Sequence, residues 1–130
     1  MIKHDTISVV IKRAGKEFLL IKRGNRPEKG YWAPPGGHVD KGETPYEAAV
    51  REAKEEAGGV VVTRKKPVFI FVHDAELFHR HRCHVFFGKA AGKVRAGGDA
   101  SAAKWFTLKQ MEKVNLTHPA RIIFNKLYGE

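Results

Sequence analysis

The chain has 130 residues, 42% of them apolar and 29% charged, which suits one hydrophobic core and leaves no room for a second independent module. Twenty-four Lys and Arg against 14 Asp and Glu give a formal charge of +10, pointing to anionic partners such as nucleotides, nucleic acid or acidic surfaces. The lone cysteine, Cys83, excludes an internal disulfide and a cysteine-rich zinc site, and the longest apolar runs, such as Val68 to Val72, fall far short of the roughly 20 residues a membrane helix needs.

The amino terminus, Met1-Ile2-Lys3-His4-Asp5, carries neither an apolar targeting core nor a small-residue cleavage site, so a cytoplasmic protein without a membrane partner is expected. Thr6 to Lys12 alternates, with Ile7, Val9 and Ile11 on one face, and Phe18 to Ile21 follows across Ala14-Gly15-Lys16; together they predict a hairpin. Arg23 to Gly37 is rich in Gly, Pro and charge and reads as a long loop able to carry binding groups. Thr44-Pro45-Tyr46-Glu47 combines a capping box with proline at the first helical position, and Gly58-Gly59 supplies the stop, so a helix is predicted over 45–57. Strands are predicted at Val60 to Val62, Val68 to Val72, His84 to Phe87 and Ala103 to Phe106. A second capping box, Thr107 to Gln110, opens a short helix to about Lys113. Ala120, Ile123, Phe124 and Leu127 at i, i+3, i+4 and i+7 mark an amphipathic helix after Thr117 and Pro119. This order implies a mixed sheet with helices packed on it, one domain over 1–130.

Charge is unevenly placed. Six of the 14 acids (Asp40, Glu43, Glu47, Glu52, Glu55, Glu56) lie between residues 40 and 56 with only Lys41, Arg51 and Lys54, so that stretch is net −3 and the remainder +13. An acidic island in a basic chain suits divalent cations bridging carboxylates to a phosphorylated ligand, although a solvated helix face uses the same residues. On the helix over 45–57, Tyr46, Ala49, Val50, Ala53 and Ala57 form the expected buried stripe, and Glu52, Glu55 and Glu56 converge on its flank. Like charges at these spacings cost about 0.2–0.5 kcal/mol per pair unless a cation offsets them. Carboxylates without Cys or His select magnesium or manganese over zinc or copper.

Residues 37 to 59 resemble a Nudix box: Gly37, Glu43, Arg51, Glu52, Glu55, Glu56 and Gly58 stand at the spacings of Gly, five residues, Glu, seven residues, Arg-Glu, two residues, Glu-Glu, one residue, Gly. The lead-in Trp32-Ala33-Pro34-Pro35-Gly36-Gly37 is also similar to the family's, with Pro34 where Leu is commoner. Ala53 and Gly59 depart from the pattern, the first in size and the second by replacing a branched aliphatic. The resemblance covers 23 of 130 residues and implies an α/β/α sandwich that hydrolyses a pyrophosphate linkage in a nucleoside diphosphate derivative with Mg2+, or Mn2+ as substitute. Carried over residue by residue, it makes Glu52, Glu55 and Glu56 metal ligands, with the Gly37 carbonyl as a fourth contributor. Glu43 and Arg51 become supports that fix the loop on the helix. Glu52 and Glu56 are the first candidates for the general base, ahead of Asp99. Substrates consistent with the family are ADP-ribose or another nucleotide sugar, or a modified nucleoside triphosphate, taken by a monomer or a homodimer.

Outside the box, Gly97-Gly98-Asp99-Ala100 followed by Trp105-Phe106 is similar to a late loop and strand bordering the family's active site, and a turn with an Asx bond uses the same residues. Trp32 either stacks on a base or anchors the loop, and Arg23, Arg26 and Lys29 either hold phosphate or are solvated. In the run His79 to His84, alternation puts His79, His81 and Cys83 on one face, a poor tetrahedral cage, and Arg80, Arg82 and His84 on the other. This segment reads either as a plain edge strand or as one whose arginine face contacts phosphate or ribose, Cys83 as a buried small hydrophobe, and His118 as a helix-start residue. The competing functional class is a basic nucleic-acid-binding domain without turnover, and between the two lies an RNA-end pyrophosphohydrolase.

Overall fold

The computed structural model describes residues 2–76 and 79–129. Strand β1 (Ile2–Arg13) organises the molecule because both of its faces are needed. Ile7, Val9 and Ile11 point to one core, and Val10 points to another. β1 runs antiparallel to β2 (Glu17–Arg23) through the predicted hairpin, with Lys12 opposite Phe18. It also runs antiparallel to β4 (Gly36–His38) and parallel to β7 (His79–Val94), with Thr6 opposite both His38 and Cys83. β2 continues to β3 (Trp32–Ala33) on one side and β8 (Ala100–Thr107) on the other. β7 carries β5 (Gly58–Val62) and β6 (Phe69–Glu76).

Helix α1 (Pro45–Ala57) covers the Ile7–Val9–Ile11 face together with Leu19 and Phe86. The opposite core holds Phe18, Leu20, Trp32, Val85, Phe106, Met111, Ile123 and Phe124, closed by α2 (Leu108–Met111) and α3 (His118–Tyr128). Helices on both faces of a mixed sheet make the α/β/α sandwich that the Nudix resemblance implies. Both predicted capping boxes form, Thr44 with Glu47 and Thr107 with Gln110.

Three expectations need correction. The segment 23–37 is not all loop, since Trp32–Ala33 pairs with Ile21–Lys22 and Gly36–His38 pairs with Thr6–Ser8. Those strands are made by distant partners rather than by their own alternation. β7 is four times longer than its apolar segment and lies between β1 and β6, so it is no edge strand. Third, α2 ends at Met111 rather than near Lys113. Gly59, the departure at strand entry, has a local reason: a Cβ there would lie 2.5–2.7 Å from Gly92 backbone atoms of β7.

Candidate active site

Helix α1 begins where Thr44 accepts from the Glu47 N–H at 3.1 Å, and it buries Ala48, Ala49, Ala53 and Ala57. Val50, expected in the buried stripe, is 41% exposed, and Ala48 is buried instead. At 100° per residue this amounts to a roll of roughly 50–60° toward Glu52 and Glu56. The roll places these two glutamates over the edge of the core rather than on an open flank. Glu55 stays outside, its side chain 54% exposed and 3.6 Å from Arg51.

The two inner carboxylates have different environments. Glu56 Oε1 accepts from the Gly36 N–H at 2.7 Å, and burial pushes its carboxyl up to about 8. Glu52 Oε1 accepts from Arg51 Nη1 at 2.7 Å, yet burial still holds its carboxyl above the ordinary range. Arg51 spans the motif: Nε and Nη2 grip Glu43 at 2.7 and 2.9 Å, Nη2 reaches the His38 carbonyl at 3.2 Å, and Asp40 lies 3.2 Å away. That fork holds the Glu43 carboxyl down to about 2 and the guanidinium firmly protonated. Glu43 Oε1 also accepts from the Asp40 N–H at 2.9 Å, so the loop before α1 is tied to the helix at both ends. With its donors committed to these acceptors, Arg51 is a brace within the motif.

Gly37 sits directly over this pair. A Cβ there would come within 2.7–2.9 Å of the Glu52 carboxylate, so a larger residue would displace that group. A Cβ on Gly36 would collide with the Ile7 backbone carbonyl, which explains glycine at that position of β4. The loop before β8 closes the other side. The Asp99 carbonyl accepts from the Gly24 N–H at 2.9 Å, and the Gly97 N–H reaches the Glu56 carbonyl at 3.1 Å.

These elements enclose a cavity of about 1010 Å³ lined by Glu52, Glu56, Gly37, Asp99, Arg23 and Arg26, among others. Of the residues expected at the site, Glu43, Arg51 and Glu55 therefore support or border it without lining it. Trp32 is elsewhere: it is 8% exposed and packs edge-on against Phe106 with centroids 4.9 Å apart, which makes it the loop anchor and not a platform for a base. The arginine face of β7 also turns away. Arg82 pairs with Asp5 at 2.7 Å and Arg80 with Asp74 at 3.3 Å, on the face opposite the cavity-lining His81 and Cys83. The cavity wall includes His38, His73, His79, His81 and His118, which come from four separate elements, so no pattern within one element assembles them. Only the alternation of His79, His81 and Cys83 hinted at it.

The sandwich sets two carboxylates of one helix at the wall of a single large cavity. The family model for the NUDIX domain matches residues 2–127. The chain is 36% identical to an ADP-ribose pyrophosphatase of Methanocaldococcus jannaschii, an alignment covering 88% of this chain and 69% of that protein. It is 34% identical to an asymmetrical bis(5'-nucleosyl)-tetraphosphatase of Caenorhabditis elegans over 91% of this chain and 73% of that one. The crystal structure of a MutT NUDIX hydrolase from Burkholderia pseudomallei superposes with a TM-score of 0.83 at 31% identity, covering 95% of this chain and 97% of that chain. The chain belongs to the Nudix hydrolase family.

Proposed function

We propose that the protein hydrolyses the pyrophosphate linkage of a nucleoside diphosphate derivative in the ADP-ribose class, using a divalent cation held by Glu52 and Glu56 with the Gly37 carbonyl and Glu55 beside them. The observation that carries this reading is the state of the two inner glutamates. Both are buried enough to raise their carboxyl pKa, and each has one oxygen tied to the protein while Oε2 has no hydrogen-bond partner among the described residues. Half-buried carboxylates with one oxygen each left open, beside a glycine that yields them space, are a fitting donor set for a hard cation, and oxygen-only ligands favour Mg2+ or Mn2+. Such an ion, when bound, neutralises phosphate oxygens and lowers the pKa of coordinated water.

The protein's own groups supply the rest. Arg51 holds Glu52 in place and keeps it from swinging toward solvent. The Gly36 N–H fixes Glu56 Oε1, leaving Oε2 of either glutamate able to accept a proton from an attacking water. Arg23 and Arg26, on the cavity wall, provide the positive charge that a diphosphate requires, while Arg23 Nε is oriented by the Pro27 carbonyl at 2.8 Å. A cavity of about 1010 Å³ accommodates a dinucleotide-sized molecule. The ADP-ribose class is taken from the similarity to the M. jannaschii pyrophosphatase, 36% identical against 34% for the tetraphosphatase.

The test is a substrate panel of ADP-ribose, sugar nucleotides, dinucleoside polyphosphates, and canonical and oxidised nucleoside triphosphates, assayed with Mg2+ and with chelator and resolved chromatographically. Chelator-sensitive release of AMP from ADP-ribose at the highest kcat/KM is the expected result. A higher kcat/KM on a tetraphosphate or an oxidised triphosphate would overturn the substrate class. Chelator-insensitive turnover would overturn the cation's role.

A further inference from the structure

The chain has seven histidines, and six of them (His4, His38, His73, His79, His81 and His118) gather on one side of the sheet. The seventh, His84, points to the other face and meets Asp5 at 3.0 Å. The clustering follows from strand register. His4 is the partner of His81 in the parallel β1/β7 ladder, and His38 stands opposite Thr6 in the antiparallel β1/β4 ladder. His4 and Thr6 are two residues apart on β1 and so share a face, which brings His81 and His38 to that face as well.

We propose that His4, His38 and His81 form a binding site for a first-row divalent transition ion, with zinc the leading candidate, distinct in its donors from the carboxylate pair. The three rings lie 5.0, 5.3 and 5.4 Å apart between centroids. They are mutually near perpendicular, at 83°, 81° and 74°. One nitrogen from each lies within 4.8 Å of the other two. Zinc–nitrogen bonds of about 2.0–2.1 Å require the three nitrogens to close slightly, and the exposed rings of His4 and His38 are free to do so. Three imidazoles without a carboxylate select borderline ions over Mg2+, which keeps the site chemically separate from Glu52 and Glu56.

Two further observations place the site functionally. His38 and His81 line the cavity, so an ion held there would border the same space as the carboxylates. Next to His81, at 5.6 Å between centroids, is His73, whose Nδ1 is buried with no hydrogen-bond partner among the described residues. A site drawing ligands from β1, β4 and β7 would also clamp β4, the three-residue strand that carries Gly37 over Glu52.

The test is isothermal titration of the untagged full chain with Zn2+ in millimolar Mg2+, which saturates carboxylate sites without competing for imidazoles. One Zn2+ per chain is expected. His4→Ala, at an exposed position, and His81→Asn should each weaken binding at least about tenfold. Co2+ in place of Zn2+ should give the visible absorption of an imidazole-bound ion, lost in both variants. Equal Zn2+ affinity in wild type, His4→Ala and His81→Asn would overturn the proposal. So would loss of zinc binding on Glu52→Gln with both histidine variants unaffected, because that would assign the ion to the carboxylates. An absence of zinc binding in the wild-type chain would refute it outright.

Discussion

Glu56 is the residue whose replacement tests the reading of the cavity most directly, because two opposite effects are expected from one isosteric change. In the metal-free protein its carboxyl is raised from 4.5 to about 8, chiefly by burial. The sign follows from proton linkage. Below pH 4.5 the acid is neutral in both folded and unfolded chains and costs nothing. Between 4.5 and about 8 the unfolded chain releases the proton while the folded chain keeps it, so stability declines as pH rises. Above that window the penalty is constant. At about 1.4 kcal/mol per pKa unit the full shift corresponds to about 4–5 kcal/mol, and relaxation with water entry reduces it to about 2–4 kcal/mol. Glu56→Gln keeps an acceptor for the Gly36 N–H and removes the titration. Urea unfolding of chelator-treated protein should therefore find the variant about as stable as wild type at pH 4 and more stable by about 2–4 kcal/mol at pH 9. Mg2+ should stabilise wild type and leave the variant unchanged, and turnover of the variant should fall by a factor of about 10² or more. A stability difference that stays flat from pH 4 to 9 would refute the claim that Glu56 is buried without a compensating charge.

The remaining expectations separate structural from chemical roles. Gly37→Ala pushes a methyl group into the Glu52 carboxylate, the far end of a flexible side chain, so the fold should survive with less than about 1 kcal/mol lost while kcat drops at least about tenfold; unchanged kcat would mean that Glu52's placement is immaterial. Trp32→Phe should cost about 1–2 kcal/mol of stability through lost packing on Phe106 and change the KM for nucleotide substrate by less than about twofold; a large KM effect with unchanged stability would restore the stacking role. Asp5, whose carboxyl is drawn down from 3.8 to about 2 by hydrogen bonds from Arg82 and His84, contributes stability that is complete above pH 3.8 and lost as pH falls through 2. Asp5→Asn should therefore lower stability by about 1 kcal/mol at pH 7, a figure discounted for its partial exposure, and the deficit should shrink on acidification, as denaturant midpoints at pH 7 and pH 3 would reveal.

What was legible in the sequence had a local cause. The start and stop of α1 follow from Thr44, Pro45, Glu47 and the glycines after Ala57, all within reach of the helix's own unsatisfied groups. The β1–β2 hairpin and the amphipathic α3 declare themselves by their periods, and the spacing of Gly37, Glu43, Arg51, Glu52 and Glu56 is fixed by contacts inside one loop–helix unit. What was not legible depends on residues far away in the chain. β3 and β4 exist because β2 and β1 offer them partners, and the length of β7 comes from pairing with three other strands. The histidine wall is likewise a product of register between β1, β4, β6 and β7, which no spacing in the sequence encodes.

The orientation of α1 is the most instructive departure. Hydrophobicity alone would turn the helix so that Val50 is buried and Glu56 faces water, an arrangement that favours the metal-free fold on both counts. The observed roll does the reverse, leaving Val50 exposed and half-burying Glu56, whose carboxylate meets the Gly36 N–H of β4. Something other than apolar burial must hold it there, and the contacts identify what does. The Gly36 N–H reaches the Glu56 carboxylate and the Gly97 N–H reaches the Glu56 carbonyl, so two hydrogen bonds, from β4 and from the loop before β8, grip the carboxylate side of the helix. Four alanines on the buried face let it turn without a large side chain to accommodate. The same orientation sets Glu52 and Glu56 at the cavity wall, where the cation proposed above would stabilise it further by offsetting their charge.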